Sequence, residues 1–166
     1  MEKLELKHLA PYFPYGLNCE ILNYNSDYVG KRFGVIKGYY FYAGEPHYMF
    51  NGKDVAGKDT SLFKPILRHL SGLNVMFEHN DVQISPLLEL AKKLYNKEPE
   101  SFDSMSTCIK WVDYQIIEQV KEPKGYDNIP HWSFQDLIKW HFDVFGLIDT
   151  GLAVDINTLS EEVPYV

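Results

Sequence analysis

Residues 33–50 read FGVIKGYYFYAGEPHYMF, and this stretch decides the fold class. Aromatic and β-branched side chains dominate it, and such side chains suit a pleated, half-buried surface. Phe33 to Ala43 and Tyr48 to Phe50 are therefore predicted strands, with Gly44, Glu45 and Pro46 as the turn between them. Working outward, Leu17, Cys19 and Ile21 alternate with Asn18 and Glu20, which predicts a half-buried strand. Leu4 to Leu9 fits a short helix or a strand, and Pro11 and Pro14 stop it either way. Gly52 to Asp59 reads as a loop. Val75 to Ile84 reads as a hairpin turning at His79, Asn80 and Asp81.

Helical patterns come later in the chain. Ser85 suits an N-cap and Pro86 the first helical position, so a helix is predicted over about 86–97. Leu87, Leu90, Ala91, Leu94 and Tyr95 form its apolar stripe. Residues 107–120 fit both a period of 2 and a period of 3.6; β-branched and aromatic content favours a strand. A second helix is predicted over 134–145, capped by Ser133, stapled by Trp132 and Leu137, and stopped by Gly146. On that helix His141 lies on the apolar stripe, and Asp136, Lys139 and Asp143 share a solvated row. Ala153, Val154 and Ile156 suggest a last short strand, and 161–166 a loose tail. The strands come in blocks. The expected fold is thus α+β, a single compact domain over 1–166 with mostly antiparallel strands.

Composition narrows the function classes. Apolar residues are 45% and charged residues 23% of 166, values of an ordinary folded chain. No run approaches the 18 apolar residues of a membrane span, and the first residues lack the apolar core of a secretory signal, so a cytoplasmic protein is expected. A net charge of -7 argues against a general polyanion binder. The charge is uneven: residues 1–97 hold 12 basic and 10 acidic side chains, and 98–166 hold 4 and 13. That makes the C-terminal part a candidate acidic face toward a protein partner. Two distant cysteines, Cys19 and Cys108, form neither a disulfide framework nor a zinc site.

Several chemistries fail on the residues. Gly52, Gly57 and Lys58 match a phosphate-binding loop, but Asp59 stands where that loop needs a hydroxyl, and Pro65 cuts the helix that should follow. No calcium-loop order occurs around Asp149, Asp155, Asn157 and Glu161. No zinc-hydrolase histidine pair and no nucleophile elbow is present. Lys31 to Gly38 partly matches an RNA-recognition strand: Phe33 and Gly34 fit, while Arg32, Val35 and Gly38 depart from it. Residues 31–42 still carry three bases, no acid and five aromatics. A single-stranded nucleic acid could stack there, on Lys31, Arg32, Phe33, Lys37, Tyr40 and Tyr42. No catalytic, cofactor-binding or metal-ligating residue is assigned, and no cofactor is expected.

Three segments carry a resemblance: His8–Leu17 (HLAPYFPYGL), Lys64–Leu73 (KPILRHLSGL) and Trp140–Leu159 (WHFDVFGLIDTGLAVDINTL). They resemble a family of small phage- and prophage-associated proteins of anaerobic gut bacteria, a family without an assigned activity. The resemblance implies a mobile-element origin and an intracellular product, and no mechanism. Residues 132–159, a capped helix, a glycine stop and a return strand, are expected to organise the fold, with Tyr12, Tyr15, Trp140 and Phe145 as aromatic packing partners. The leading expectation is a non-catalytic accessory or interaction protein with a host or phage partner. The alternatives are a single-stranded nucleic-acid-binding factor using 31–42, and a small hydrolase whose carboxylate or histidine site assembles only in space.

Overall fold

The computed structural model describes residues 3–22, 33–50, 53–55, 60–95, 110, 112, 116 and 130–160, with the side chains of 53–55 and 94–95 excepted. These residues are α+β and mostly strand, and they fall into two compact units, 1–68 with 146–166, and 69–145.

The first unit is built on β1 (Leu17–Ile21). The chain enters it from α1 (Leu6–Leu9) and a 3-10 segment, Ala10–Tyr15, that ends at Gly16 with φ 72°. A left-handed residue is needed to turn there, and glycine adopts that conformation at little cost. β1 pairs antiparallel with β2 (Phe33–Tyr42), which pairs with β3 (Glu45–Phe50), which pairs with β4 (Lys53–Val55). On its other side β1 pairs antiparallel with β5 (Phe63–Leu67), which receives β8 (Val154–Asp155) as a parallel neighbour. The sheet order is β4-β3-β2-β1-β5-β8.

Registry explains the core. Leu17, Cys19, Gly34, Ile36, Phe50 and Phe63 meet on one face, with Phe63 edge-on to Phe50 at 5.1 Å and to Tyr48 at 5.4 Å. A Cβ on Gly34 would lie 3.0 Å from Phe50 and 3.2 Å from Ile21, so only glycine lets that ring sit so close. The opposite face holds a smaller cluster, Phe33 and Ile66, against which Val154, Ile156 and Leu159 pack. Asp155 Oδ1 accepts from the backbone and side-chain amides of Asn157, which accounts for these residues as a turn cap.

In the second unit, β6 (Phe77–His79) and β7 (Val82–Ile84) form the expected hairpin. Its loop is two residues, Asn80 and Asp81, at φ 51° and 60°, so His79 belongs to the strand and pairs with Val82. α2 (Pro86–Tyr95) starts where expected, with Leu87, Leu90 and Ala91 buried. Lys110, Val112 and Ile116 are helical, and Val112 and Ile116 are buried, so at these positions the helical period prevails over strand propensity.

α3 (His131–Lys139) departs from the predicted 134–145 at both ends. Pro130 precedes it and accepts from the Phe134 N–H, so Ser133 and Trp132 lie inside the first turn rather than before it. It stops at His141, held at φ 59°. The Phe142 N–H donates to Leu137 O and the His141 N–H to Ile138 O, the paired bonds of a Schellman stop with histidine in the usual glycine place. Phe142 and Leu137, the positions whose apolar contact usually accompanies such a stop, are both fully buried. The apolar spacing of Phe142 and Phe145 hid this end, because it continues the helical period past it.

Asp136 and Asp143 are buried, so the expected solvated row does not form; Lys139 is exposed. Lys93 of α2 donates to Asp136 Oδ1 at 2.7 Å, and that pairing is what permits the burial. Of the expected aromatic partners, Tyr12 and Trp140 are buried, Phe145 is half-buried edge-on to Phe134 at 6.1 Å, and Tyr15 is exposed.

Burial pushes the Cys19 thiol well above its ordinary value and raises the Tyr48 phenol. The unfolded chain then loses these protons first, near pH 8.5 and pH 10 respectively, so stability falls as pH rises through that range. Urea unfolding midpoints measured from pH 7 to about pH 10.5 should decline above about pH 8.5. A flat or rising series refutes the placement of Cys19. In the folded protein Cys19 should also resist a thiol reagent that modifies it after unfolding.

Candidate recognition site

The outer half of the β2–β3 hairpin gathers Tyr39, Tyr40, Phe41 and Tyr42, four of the five exposed aromatic residues among the described residues of the first unit, the fifth being Tyr15. A single irregularity arranges them. Ile36 pairs with Phe50 and Gly38 with Met49, so β2 spends one extra residue, Lys37, where β3 spends none. Such a bulge shifts the alternation of β2 by one. Without it, Tyr40 and Tyr42 would share the face of Ile36; with it, Tyr39 and Phe41 do.

Two aromatic faces result. On the first, the Tyr39 ring lies 5.5 Å from Phe13, tilted by 45°, and meets Phe41 edge-on at 5.6 Å. On the second, the His47 ring lies 5.2 Å from Tyr40, tilted by 30°, and 5.6 Å from Tyr42, edge-on. His47 Nδ1 is buried there with no hydrogen-bond partner among the described residues. Phe41 is 61% exposed and Tyr42 68% exposed.

The turn also differs from expectation. It is two residues, Ala43 and Gly44, at φ 51° and 82°, and β3 begins at Glu45 with Pro46 inside it. Paired left-handed residues match the twist of the flanking strands, whereas the expected three-residue turn would have shortened β3 and carried β2 one residue further, to Ala43. β4 likewise occupies part of the predicted 52–59 loop. After Thr60 the chain forms a 3-10 turn and then β5, with no helix for a phosphate loop.

The six residues expected to bind nucleic acid divide. Tyr40 and Tyr42 share one exposed face, and Lys37 is exposed at the bulge. Phe33 is 9% exposed and packs against Ile66, so its ring cannot stack on a base. Lys31 and Arg32 lie outside the described residues, as do the matched Gly52, Gly57, Lys58 and Asp59, and Cys108 and 161–166. Tyr39, Phe41 and His47 join the site although the sequence reading did not assign them. The signal was present in the four consecutive rings of 39–42, since period 2 must put rings on both faces of such a run.

Elsewhere, a recess of about 260 Å³ is lined by Leu4, Leu22, Phe63 and Leu152 with Lys3, Lys64, Thr60 and Ser61. In the second unit His79 and His141 meet edge-on at 6.1 Å. Among the described residues no three histidine, cysteine or carboxylate side chains gather as a metal site, and no helix is long and apolar enough to cross a membrane. Comparison of the chain with protein families, with curated proteins and with solved structures finds no match.

The two kinds of aromatic residue should separate in stability measurements. Phe33→Ala should cost about 3–5 kcal/mol in urea unfolding, as a core ring does. Tyr42→Ala should stay within about 0.5 kcal/mol. Equal effects would contradict the register.

Proposed function

We propose that this is a non-catalytic, phage- or prophage-encoded interaction protein that grips a protein partner through the exposed rings of the β2–β3 hairpin. The observation that carries the reading is the exposure of Phe41 and Tyr42 on a hydrogen-bonded hairpin that holds their backbone in place. Water-exposed rings bring no benefit to the isolated chain, and clusters of them mark contact surfaces. Tyrosine supplies large contact area at low entropic cost, and aromatic anchors carry much of the energy of protein interfaces. The mobile-element origin is supported by the resemblance of 8–17, 64–73 and 140–159.

Charge favours a protein over a nucleic acid as partner. The net charge is -7, and Glu45 stands opposite Tyr42 on the ring-bearing face, where a phosphate backbone would be repelled. The acidic part of the chain supports a contact role less directly. Asp136 and Asp143 are buried, Asp149 is exposed, and most of the acidic side chains of 98–166 lie outside the described residues.

The test compares the intact protein with a Phe41→Ala, Tyr42→Ala double variant as baits in a bacterial host lysate. A protein retained by the first and lost, by about tenfold or more, from the second is the expected result. Equal retention by both baits overturns the reading. So does tight binding of a single-stranded oligonucleotide in a fluorescence titration at low salt, which would favour the nucleic-acid alternative.

A further inference from the structure

The recess beside β5 is assembled from parts of the chain far apart in sequence, and hydrogen bonds hold its walls in place. Thr60 Oγ1 donates to Leu4 O at 3.0 Å, tying the segment before α1 to the 3-10 turn before β5. The Leu22 N–H donates to Leu62 O at 2.8 Å, and the Leu152 N–H to Leu147 O at 2.8 Å. Leu4 and Phe63 are buried and make an apolar floor, while Leu22 is 44% exposed and stands at the mouth. Lys3 and Lys64 also line the recess. Neither enters an ion pair or a hydrogen bond among the described residues, whereas Lys7 pairs with Glu5, Lys92 with Glu89 and Lys93 with Asp136. Glu20 is the register partner of Lys64 on β1, but it neither lines the recess nor forms an ion pair with Lys64. In a chain of net charge -7, two ammonium groups thus meet at one apolar hollow.

We propose that this recess binds a small amphiphilic carboxylate, its hydrocarbon body against Leu4, Phe63 and Leu152 and its anionic head held by Lys3 and Lys64. Volume selects the size. At about 30 Å³ for each water-sized group, 260 Å³ holds about nine such groups, which is a straight-chain acid of about eight carbons. A peptide segment or a two-chain lipid is too large for it. The floor selects the body. A bare inorganic anion there loses hydration beside leucine and phenylalanine and gains no burial of its own. Charge selects the head. An anion beside two ammonium groups at the edge of an apolar hollow is attracted more strongly than in open water. A neutral alcohol of the same length gains only the burial, and an amine meets like charge. The bonds from Thr60, Leu22 and Leu152 fix the walls before any ligand arrives, so little ordering cost falls on binding. None of the lining residues belongs to the β2–β3 hairpin, so this site is separate from the ring-bearing surface.

The experiment is isothermal titration of the full chain with sodium octanoate at low salt, with acetate, octanol and octylamine as comparison ligands. Octanoate should bind saturably, one per chain, with a Kd of about 0.1–1 mM, a range suited to a ligand of about ten non-hydrogen atoms. Acetate, octanol and octylamine should each bind at least about tenfold more weakly. A Lys3→Gln, Lys64→Gln double variant should weaken octanoate by about tenfold, and Leu22→Trp should do the same by filling the mouth. Lys3 and Leu22 are exposed and Lys64 is half-buried, so both variants should unfold in urea at the wild-type midpoint when no ligand is present. Added octanoate should raise the wild-type midpoint and leave those of the variants in place. No saturable binding of octanoate up to about 10 mM overturns the proposal. Octanol binding as tightly as octanoate overturns it too, as does full affinity in either variant. Partner capture by Phe41 and Tyr42 can fail while octanoate binds, and the reverse, so the two readings are separable.

Discussion

One extra residue in β2 governs how the first unit meets its surroundings. Strand side chains alternate strictly, so a strand that runs past its neighbours must keep the face it starts with. The bulge at Lys37 breaks that rule once. Before it, Gly34 and Ile36 serve the inner face and Phe33 the smaller opposite cluster. After it, the assignment of odd and even positions is exchanged. The inner half of β2 is buried and pairs with β1, while the outer half pairs with β3 and extends as a ribbon with rings on both sides.

The close contact of Phe50 with Gly34 ties the two halves together. Phe50 sits opposite Ile36, at the last register position before the bulge, and its ring lies where a side chain on Gly34 would be. Phe63 and Tyr48 close around it. The aromatic cluster therefore anchors the root of the hairpin, and the tip extends into water from a fixed base. A two-stranded ribbon is only marginally stable in isolation. Here it has such a root, plus Phe13 against Tyr39, which explains how four consecutive rings can be presented in defined positions.

The second unit shows a related economy at its helix stop. His141 takes a left-handed conformation that costs a side-chain-bearing residue about 1–2 kcal/mol, and the paired backbone bonds at Leu137 and Ile138 offset it. Ending the helix at this point is what places Phe142 and Asp143 in the interior. Lys93 performs the matching task for Asp136, supplying a charge partner where the sequence pattern alone suggested a solvent-facing row.

Sequence by itself determined that the chain is α+β, that 17–21 and 33–42 are extended, that a hairpin lies within 75–84, and that a helix begins at Pro86. Each follows from local periodicity, turn chemistry or the missing N–H of proline, which act within a few residues. It also pointed to 31–42 as a segment rich in exposed-type rings. It could not place those rings. Phe33 and Tyr42 look equivalent in a list of aromatic residues, yet one packs on Ile66 and the other faces water. Their difference comes from the partners of Phe33, Glu20 and Ile66, more than ten residues away, and from a one-residue bulge that no local propensity encodes. The end of α3 was hidden for the same reason: the apolar period of Phe142 and Phe145 runs on, and the stop at a left-handed histidine is set by the burial of Phe142 and the backbone bonds to Leu137 and Ile138. Local chemistry chose the elements, and tertiary pairing decided which faces they turn to one another and which they leave for a partner.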